Sequence, residues 1–126
     1  MRRELLVACP YFAIEKTSWS GPSQLSWTEA SARLLVILAG SGEILFDKTR
    51  IDSTASPKSV PHTQTHMSYS FGEAFLIPYE SNHVDFLPEN PTTAIHTYVP
   101  DLKKMTGVLT ESGATKEQIS ALIRWP

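Results

Sequence analysis

The chain has 126 residues, a formal net charge of −2 and an apolar fraction of 41%. This length suffices for one domain with a buried core and is too short for two. The charge balance gives no electrostatic basis for binding nucleic acid or an anionic membrane. No apolar run approaches the roughly 20 residues of a membrane helix. The single Cys9 cannot form an intrachain disulfide, which is typical of proteins in the reducing cytoplasm.

Short segments that alternate in polarity or run apolar predict strands along most of the chain. In chain order these are residues 11–16, 24–27, 34–39, 42–47, 67–71, 74–77, 83–87 and 92–99. Residues 1–9 are predicted as a helical or irregular lead-in. The apolar run 34–39 is predicted to be buried on both faces, and the Gly40-Ser41-Gly42 turn predicts a hairpin that pairs it with 42–47. Strands at this spacing indicate a sandwich or barrel.

Two further segments differ from the strand pattern. Residues 51–65 are polar and long for a loop in a compact domain, so we expect them to be the most mobile internal segment. The tail, residues 101–126, is predicted to be helical. Within it, Thr115 and Gln118 have the spacing of a capping box. The apolar residues that follow at helical spacing, Ile119, Leu122 and Ile123, are expected to dock on the barrel.

A glycine turn, an apolar strand, a proline and a histidine follow one another between residues 72 and 83. Gly72, Pro78 and His83 match the second cupin motif, G-x5-P-x-G-x2-H-x3-N, in residue and in spacing. Glu80 replaces its second glycine and Leu87 its final asparagine. The segment therefore resembles a cupin motif that keeps its histidine.

The first cupin motif, G-x5-H-x-H-x3-4-E-x6-G, supplies three further metal ligands in that superfamily. Counting back from Gly40, its glutamate position falls on Arg33. The two histidine positions fall on Trp27 and Glu29, or on Ser26 and Thr28, and no histidine precedes His62. Divalent metals need several imidazoles or carboxylates that converge on one point. We therefore expect no metal cofactor, with zinc at His83 as the alternative.

A wider resemblance begins at Cys9-Pro10-Tyr11-Phe12-Ala13-Ile14-Glu15-Lys16 and covers roughly residues 4–100. This opening, the later Gly-x-Gly turn, the Gly-Glu-Ala-Phe-Leu-Ile-Pro segment and the ending Thr97-Tyr98-Val99-Pro100 resemble the C-terminal cupin domain of type I mannose-6-phosphate isomerases. That family keeps its metal and its proton-transfer groups in an N-terminal catalytic domain. The resemblance implies an accessory domain whose partner is such a catalytic domain, upstream or separate.

The histidines offer one set of candidate ligand-binding residues. His83 is either a relic ligand at the barrel mouth or a hydrogen-bonded residue at a strand start. His96 could point into the barrel beside His83 or be structural. His62 and His66 have i, i+4 spacing, but Pro61 and the surrounding polar residues favour a solvated loop.

An arginine and three aromatic residues form the second set. Arg33 could bind a phosphate or carboxylate through bidentate hydrogen bonds, or form an ion pair with Glu29 or Glu43. The three aromatic residues are Trp27, Tyr69 and Phe86. They could line a sugar-binding pocket by stacking, or all three could belong to the core.

Together these features predict an all-β, cupin-type jelly-roll barrel of two antiparallel sheets with a short C-terminal helix, as one domain over residues 1–126. The predicted role is a metal-free, non-catalytic cupin domain of the mannose-6-phosphate isomerase type. One alternative is a sugar or sugar-phosphate binding module. The other is a small metal-dependent isomerase that uses His83, His96 and loop histidines. The sequence leaves the oligomeric state open, a homodimer included, and also whether the chain is part of a longer enzyme.

Overall fold

The computed structural model describes residues 1–28, 31–48, 63–78 and 81–123. This part of the chain forms nine strands and two helices. In chain order they are β1 (Arg2–Ala8), β2 (Ala13–Trp19), β3 (Ser23–Ser26), β4 (Arg33–Ala39), β5 (Gly42–Lys48), β6 (Thr63–Tyr69), β7 (Ala74–Ile77), β8 (His83–Pro88), β9 (Thr92–Tyr98), α1 (Leu102–Glu111) and α2 (Lys116–Leu122). Twelve of the residues expected to be mobile, 51–62, lie outside the described ranges.

The strands form two antiparallel sheets that face each other. One sheet has the order β1-β2-β9-β4-β7, and the other has the order β3-β8-β5-β6. Alternate residues of both sheets point inward and make one apolar core, which includes Leu35 and Ile37 from the first sheet and Ile44, Val84 and Phe86 from the second. The predicted all-β barrel of two packed sheets is therefore confirmed.

The prediction for the first nine residues is wrong, because they include strand β1 at the edge of the larger sheet. Strand β1 pairs with β2 from Arg2↔Ser18 to Ala8↔Ala13, with an irregularity between Leu5 and Val7. This shift breaks the alternation that would identify the strand from sequence alone. Charged residues near its start are typical of an edge strand.

The predicted hairpin is also wrong. Strands β4 and β5 belong to different sheets, so the Gly40–Gly42 turn crosses from one sheet to the other. Gly40 has φ +92°, and a Cβ on it would lie 2.4 Å from the carbonyl oxygen of Pro91. A Cβ on Gly42 would lie equally close to the carbonyl oxygen of Leu87. The glycines permit close packing of chain segments here. A glycine turn before a strand looks the same in sequence whether the chain forms a hairpin or crosses to another sheet, so the sequence could not distinguish the two.

Replacing Gly40 by alanine is expected to lower the free energy of unfolding by about 3 kcal/mol, because left-handed strain and a steric overlap add together. Gly72→Ala is the matched control. Gly72 has φ +86° with open space around its Cβ position, so it should lose only about 1 kcal/mol. Urea unfolding of both variants measures the difference. Equal losses would contradict the close approach at Gly40.

The outer face of β4 is exposed, so the prediction that this strand is buried on both faces is wrong as well. Leu34 and Leu38 are exposed there, and Leu34 pairs with Leu76 of β7, whose side chain is 72% exposed. Val36, between the two leucines, pairs with Ala74. This uncovered apolar strip on the larger sheet is called the β4–β7 face below.

The C-terminal tail is helical, as predicted, and covers one end of the barrel. Asp101 caps α1 by accepting hydrogen bonds from two first-turn amides. Thr115 and Gln118 form the predicted capping box of α2. Ile123 follows α2 and is buried in a second apolar cluster with Ala8, Ala13, Tyr98 and Leu102. The tail therefore docks on the barrel, which confirms that prediction.

Candidate functional site

A layer of polar side chains crosses the barrel interior on the larger sheet. Glu15 of β2 and His96 of β9 are a register pair, and both side chains are buried. His96 is also paired with Leu35 of β4. Arg33 lies two residues before Leu35 in that strand and therefore on the same inward face. Three neighbouring strands thus bring a carboxylate, an imidazole and a guanidinium together inside the barrel.

The guanidinium of Arg33 packs against two aromatic rings. Its Cζ lies 4.5 Å from the ring centroid of Trp27 and 3.7 Å from that of Tyr98. The residue is only 1% exposed. Stacking on aromatic faces stabilises a desolvated guanidinium, which is less strongly hydrated than an ammonium group. Its charge is therefore held inside the protein in contact with two rings.

His96 is a neutral imidazole in a defined tautomer. Nη1 of Arg33 lies 3.1 Å from Nδ1 of His96. A guanidinium has only donors, so Nδ1 must accept and the proton must be on Nε2. Burial lowers the pKa of His96 to about 4; the Glu15 carboxylate opposes this effect, and the Arg33 charge adds to it. Nε2 faces Oε2 of Glu15 at 3.6 Å, too long for a strong hydrogen bond.

Glu15 is the carboxylate of the layer. Burial on its own raises its pKa, but the hydrogen bonds and charge of Arg3, with contributions from His96 and the Tyr98 side chain, lower the pKa below its ordinary value. Nε and Nη2 of Arg3 donate to the two carboxylate oxygens at 3.2 and 3.1 Å. Nη1 of Arg33 lies 4.0 Å from Oε2. One carboxylate thus faces two guanidinium groups.

A polar cavity of about 480 Å³ opens beside this layer, where β1 of one sheet meets β3 of the other. Its polar lining consists of Arg3, Gln24, Ser26, Thr28, Asn82 and His83. Trp27 also lines it, and its indole nitrogen donates to the carbonyl oxygen of Ser81 at 3.0 Å. Trp27 therefore separates the cavity from the buried Arg33.

The two histidines that could have shared a ligand are on different sides of the barrel wall. Val84 and Phe86 point into the core, so alternation places His83 of β8 on the outer face of its sheet. His96 points into the interior from the other sheet. Their imidazoles do not converge. His83 instead contacts Asn82, with Nδ1 2.8 Å from Oδ1.

The remaining sequence candidates divide between the core and the surface. Tyr69 and Phe86 pack with Trp19 in the apolar core, so they do not line the cavity with Trp27. Glu43 is not the ion-pair partner of Arg33; it lies 3.9 Å from the exposed His66. His62 and Glu29 lie outside the described residues. Among the described residues, no three His, Cys, Asp or Glu side chains are grouped so that they could hold a metal ion.

Sequence reasoning missed Arg3 and Glu15. Glu15 alternates with the buried residues Ala13 and Thr17 in β2. A carboxylate at an inward position of a strand is a signal that could have identified it, because a buried charge requires a partner. Arg3 gave no such signal, since its pairing depends on the edge position of β1.

Comparisons with known proteins identify the fold. The chain matches no protein-family model and no curated protein in sequence. Its structure is similar to a cupin superfamily protein from Desulfitobacterium hafniense, with a TM-score of 0.57 and 14% identity over 79% of this chain and 77% of the other. An RmlC-like cupin from Desulfovibrio desulfuricans has a TM-score of 0.56 and 17% identity over 79% and 81% of the two chains.

A third structure, of a protein from Bacillus halodurans, has a TM-score of 0.56 and 16% identity, covering 78% of this chain and 69% of its own. Identities this low show the fold alone. The chain therefore has a cupin fold, as the motif around His83 predicted. In addition, none of the helices in the described ranges is long and apolar enough to span a membrane.

Proposed function

We propose that the chain is a metal-free, non-catalytic cupin domain of the kind found at the C-terminus of type I mannose-6-phosphate isomerases, acting in the cytoplasm in carbohydrate metabolism. One observation carries the proposal. The position that would supply the ligand glutamate of a metal-binding cupin is Arg33, and its guanidinium is buried against Glu15 and His96.

These donors do not fit a divalent metal. A metal ion bound by Glu15 and His96 would lie a few ångströms from a guanidinium that is already 3.1 Å from one imidazole nitrogen and 4.0 Å from the carboxylate. Two cations at that separation repel strongly in a buried setting. Among the described residues, the interior also gives only two donors where a stable site needs at least three. The layer is thus suited to stabilise the barrel without a metal.

The same layer is poorly suited to acid–base chemistry. Aldose–ketose isomerisation needs a base at the substrate carbon and an electrophile at its carbonyl oxygen. Glu15 is buried and holds Arg3 through both oxygens, so it is not available to a substrate. We therefore assign the reaction to a separate or upstream catalytic domain, and the β4–β7 face, exposed and apolar, is the surface on which that domain would dock.

The test is metal analysis combined with an isomerase assay on the purified chain. We expect far less than one zinc, iron or manganese per chain, and no turnover of mannose 6-phosphate above a His83→Ala control, even with metal added. Stoichiometric metal that is lost in His83→Ala would contradict the metal-free assignment. Turnover that exceeds the control would instead favour the small metal-dependent isomerase.

A further inference from the structure

Strand β7 ends the larger sheet, and its only neighbour among the described strands is β4. The amide of Ile37 in β4 donates to the carbonyl oxygen of Glu73 at 2.9 Å, immediately before β7. In an antiparallel pair, residues that bond to the neighbour alternate with residues whose N–H and C=O groups point away from it. Ala74 and Leu76 are therefore the residues of β7 whose backbone groups face away from β4. Their two N–H and two C=O groups have no partner in the described part of the chain.

The two edges of this sheet differ in how they are protected. Strand β1, at the opposite edge, carries Arg2, Arg3 and Glu4, contains an irregularity, and forms a bridge to Ile123 at its last residue. Charges, irregular pairing and a covering segment each discourage a further strand from adding to an edge. Strand β7 reads Ala-Phe-Leu-Ile and pairs with β4 without a register shift. An uncharged, regular edge of this kind is open to pairing with another strand.

The open edge of β7 is complementary to itself in one register. With a two-fold axis at Phe75, Ala74 of one copy lies opposite Leu76 of a second copy, and the same holds in reverse. Both residues have outward N–H and C=O groups, so the two strands would form hydrogen bonds that use every open group. Moving the axis to Leu76 would place Ala74 opposite Pro78, which has no N–H. Moving it to Ala74 would place Leu76 opposite Gly72, whose N–H already donates to β4.

Exposed apolar side chains lie at the same edge. Leu76 is 72% exposed, and Phe71, in the turn before β7, is 75% exposed. This register sets Leu76 against the strand of the second copy and brings the turn at Phe71 beside the exposed Pro78 of that copy. Glu73 is the one charged residue from 71 to 78, and it lies opposite Ile77 of the second copy rather than opposite a second carboxylate. Pairing would therefore cover apolar surface without opposing like charges.

We infer that a second copy of this chain pairs with β7, so that two copies form a symmetric dimer with one continuous sheet across the axis. Because the paired strands are short, the buried area falls below that of a standard stable interface, and we expect the dimer to exchange with monomer. Edge pairing leaves the β4–β7 face open and joins the two faces into one surface. The inference goes beyond the proposed function, because a metal-free domain can be monomeric or dimeric. Failure of the dimer test would leave the metal-free assignment intact.

The first test is sedimentation equilibrium of the purified chain from micromolar to millimolar concentration. We expect a reversible monomer–dimer equilibrium. Leu76→Lys should raise the dissociation constant of the dimer at least about tenfold, because it places an ammonium group of each copy close to the other across the axis. Leu76 is exposed in the single chain, so this variant should fold as the parent does. Met67→Lys is the matched control, since Met67 is 46% exposed on β6, an edge strand of the other sheet, and it should dimerise as the parent does.

The second test is cross-linking, which reports the register. In a Cys9→Ser background, Ala74→Cys chains mixed with Leu76→Cys chains should form a disulfide between copies under mild oxidation. Residues in a hydrogen-bonded pair have Cα atoms about 5.5 Å apart, which a disulfide can span. Either variant alone should cross-link far less, because its two cysteines are not opposite each other. The inference is overturned by a monomer at millimolar concentration, by a Leu76→Lys dimer as tight as the parent, by equal loss in Met67→Lys, or by a mixture that cross-links no better than the single variants.

Discussion

Replacing Glu15 by alanine is expected to lower the free energy of unfolding by about 3–5 kcal/mol, the usual loss when one member of a buried ion pair is removed. Glu15 is the carboxylate that Arg3 and Arg33 both face inside the barrel. Its removal leaves the buried charge of Arg33 without that counter-charge, while Arg3, whose side chain is partly exposed, loses both of its carboxylate hydrogen bonds. Because the expected loss is a large fraction of the stability of a small domain, the variant should also express poorly.

Glu4→Ala is the matched control for this experiment. Glu4 belongs to the neighbouring strand and forms an ion pair with Arg2, but both side chains of that pair are exposed. Such pairs contribute about 0–1 kcal/mol. Glu15→Gln, which keeps the shape and one acceptor, should fall between the two and can be measured if the alanine variant does not fold. Chemical unfolding would contradict the role of Glu15 if both alanine variants lost similar free energy.

The second large effect is a loss of stability in mild acid. The pKa of His96 is about 4 in the folded protein and 6.5 in the unfolded chain. The unfolded chain therefore binds a proton more readily, and acid favours unfolding. Above pH 6.5 the free energy of unfolding keeps the full contribution of neutral His96. This contribution is lost as the pH falls from 6.5 through 4, by roughly 3 kcal/mol in total. The lowered pKa of Glu15 adds a loss of the same sign at still lower pH.

Burial is the main physical reason for the low pKa of His96, because a charged imidazole would have little solvation there. The Arg33 charge acts in the same direction. Protonation at Nδ1 would also place an N–H against the guanidinium N–H groups of Arg33 and would break the hydrogen bond between the two side chains.

His96→Gln tests this explanation. A glutamine can accept from Arg33 and donate toward Glu15 without titrating. Unfolding free energies measured from pH 7 to pH 4 should therefore fall for the parent and stay nearly level for this variant. His66→Gln, at an exposed position, should follow the parent. A slope in His96→Gln as steep as that of the parent would assign the acid sensitivity to other groups.

The site could be predicted only in part. Arg33 stood out because it replaces a ligand in a known motif, and His96 because it alternates within a strand. Their contact joins residues 63 positions apart, so no local pattern reports it. Arg3 and Glu15 were missed for the same reason, since the pairing of β1 with β2 brings them together.

The sequence by itself determined the locally encoded features. Strand β7 and the capping box of α2 depend on neighbours a few residues away, and both are where the sequence placed them. The cupin motif around His83 likewise indicated the fold. Only the tertiary structure decided which strands share a sheet, that the Gly40–Gly42 turn changes sheets, and that His83 and His96 face different sides. Those outcomes depend on which distant strands pair and which face is buried, and a short segment does not contain that information.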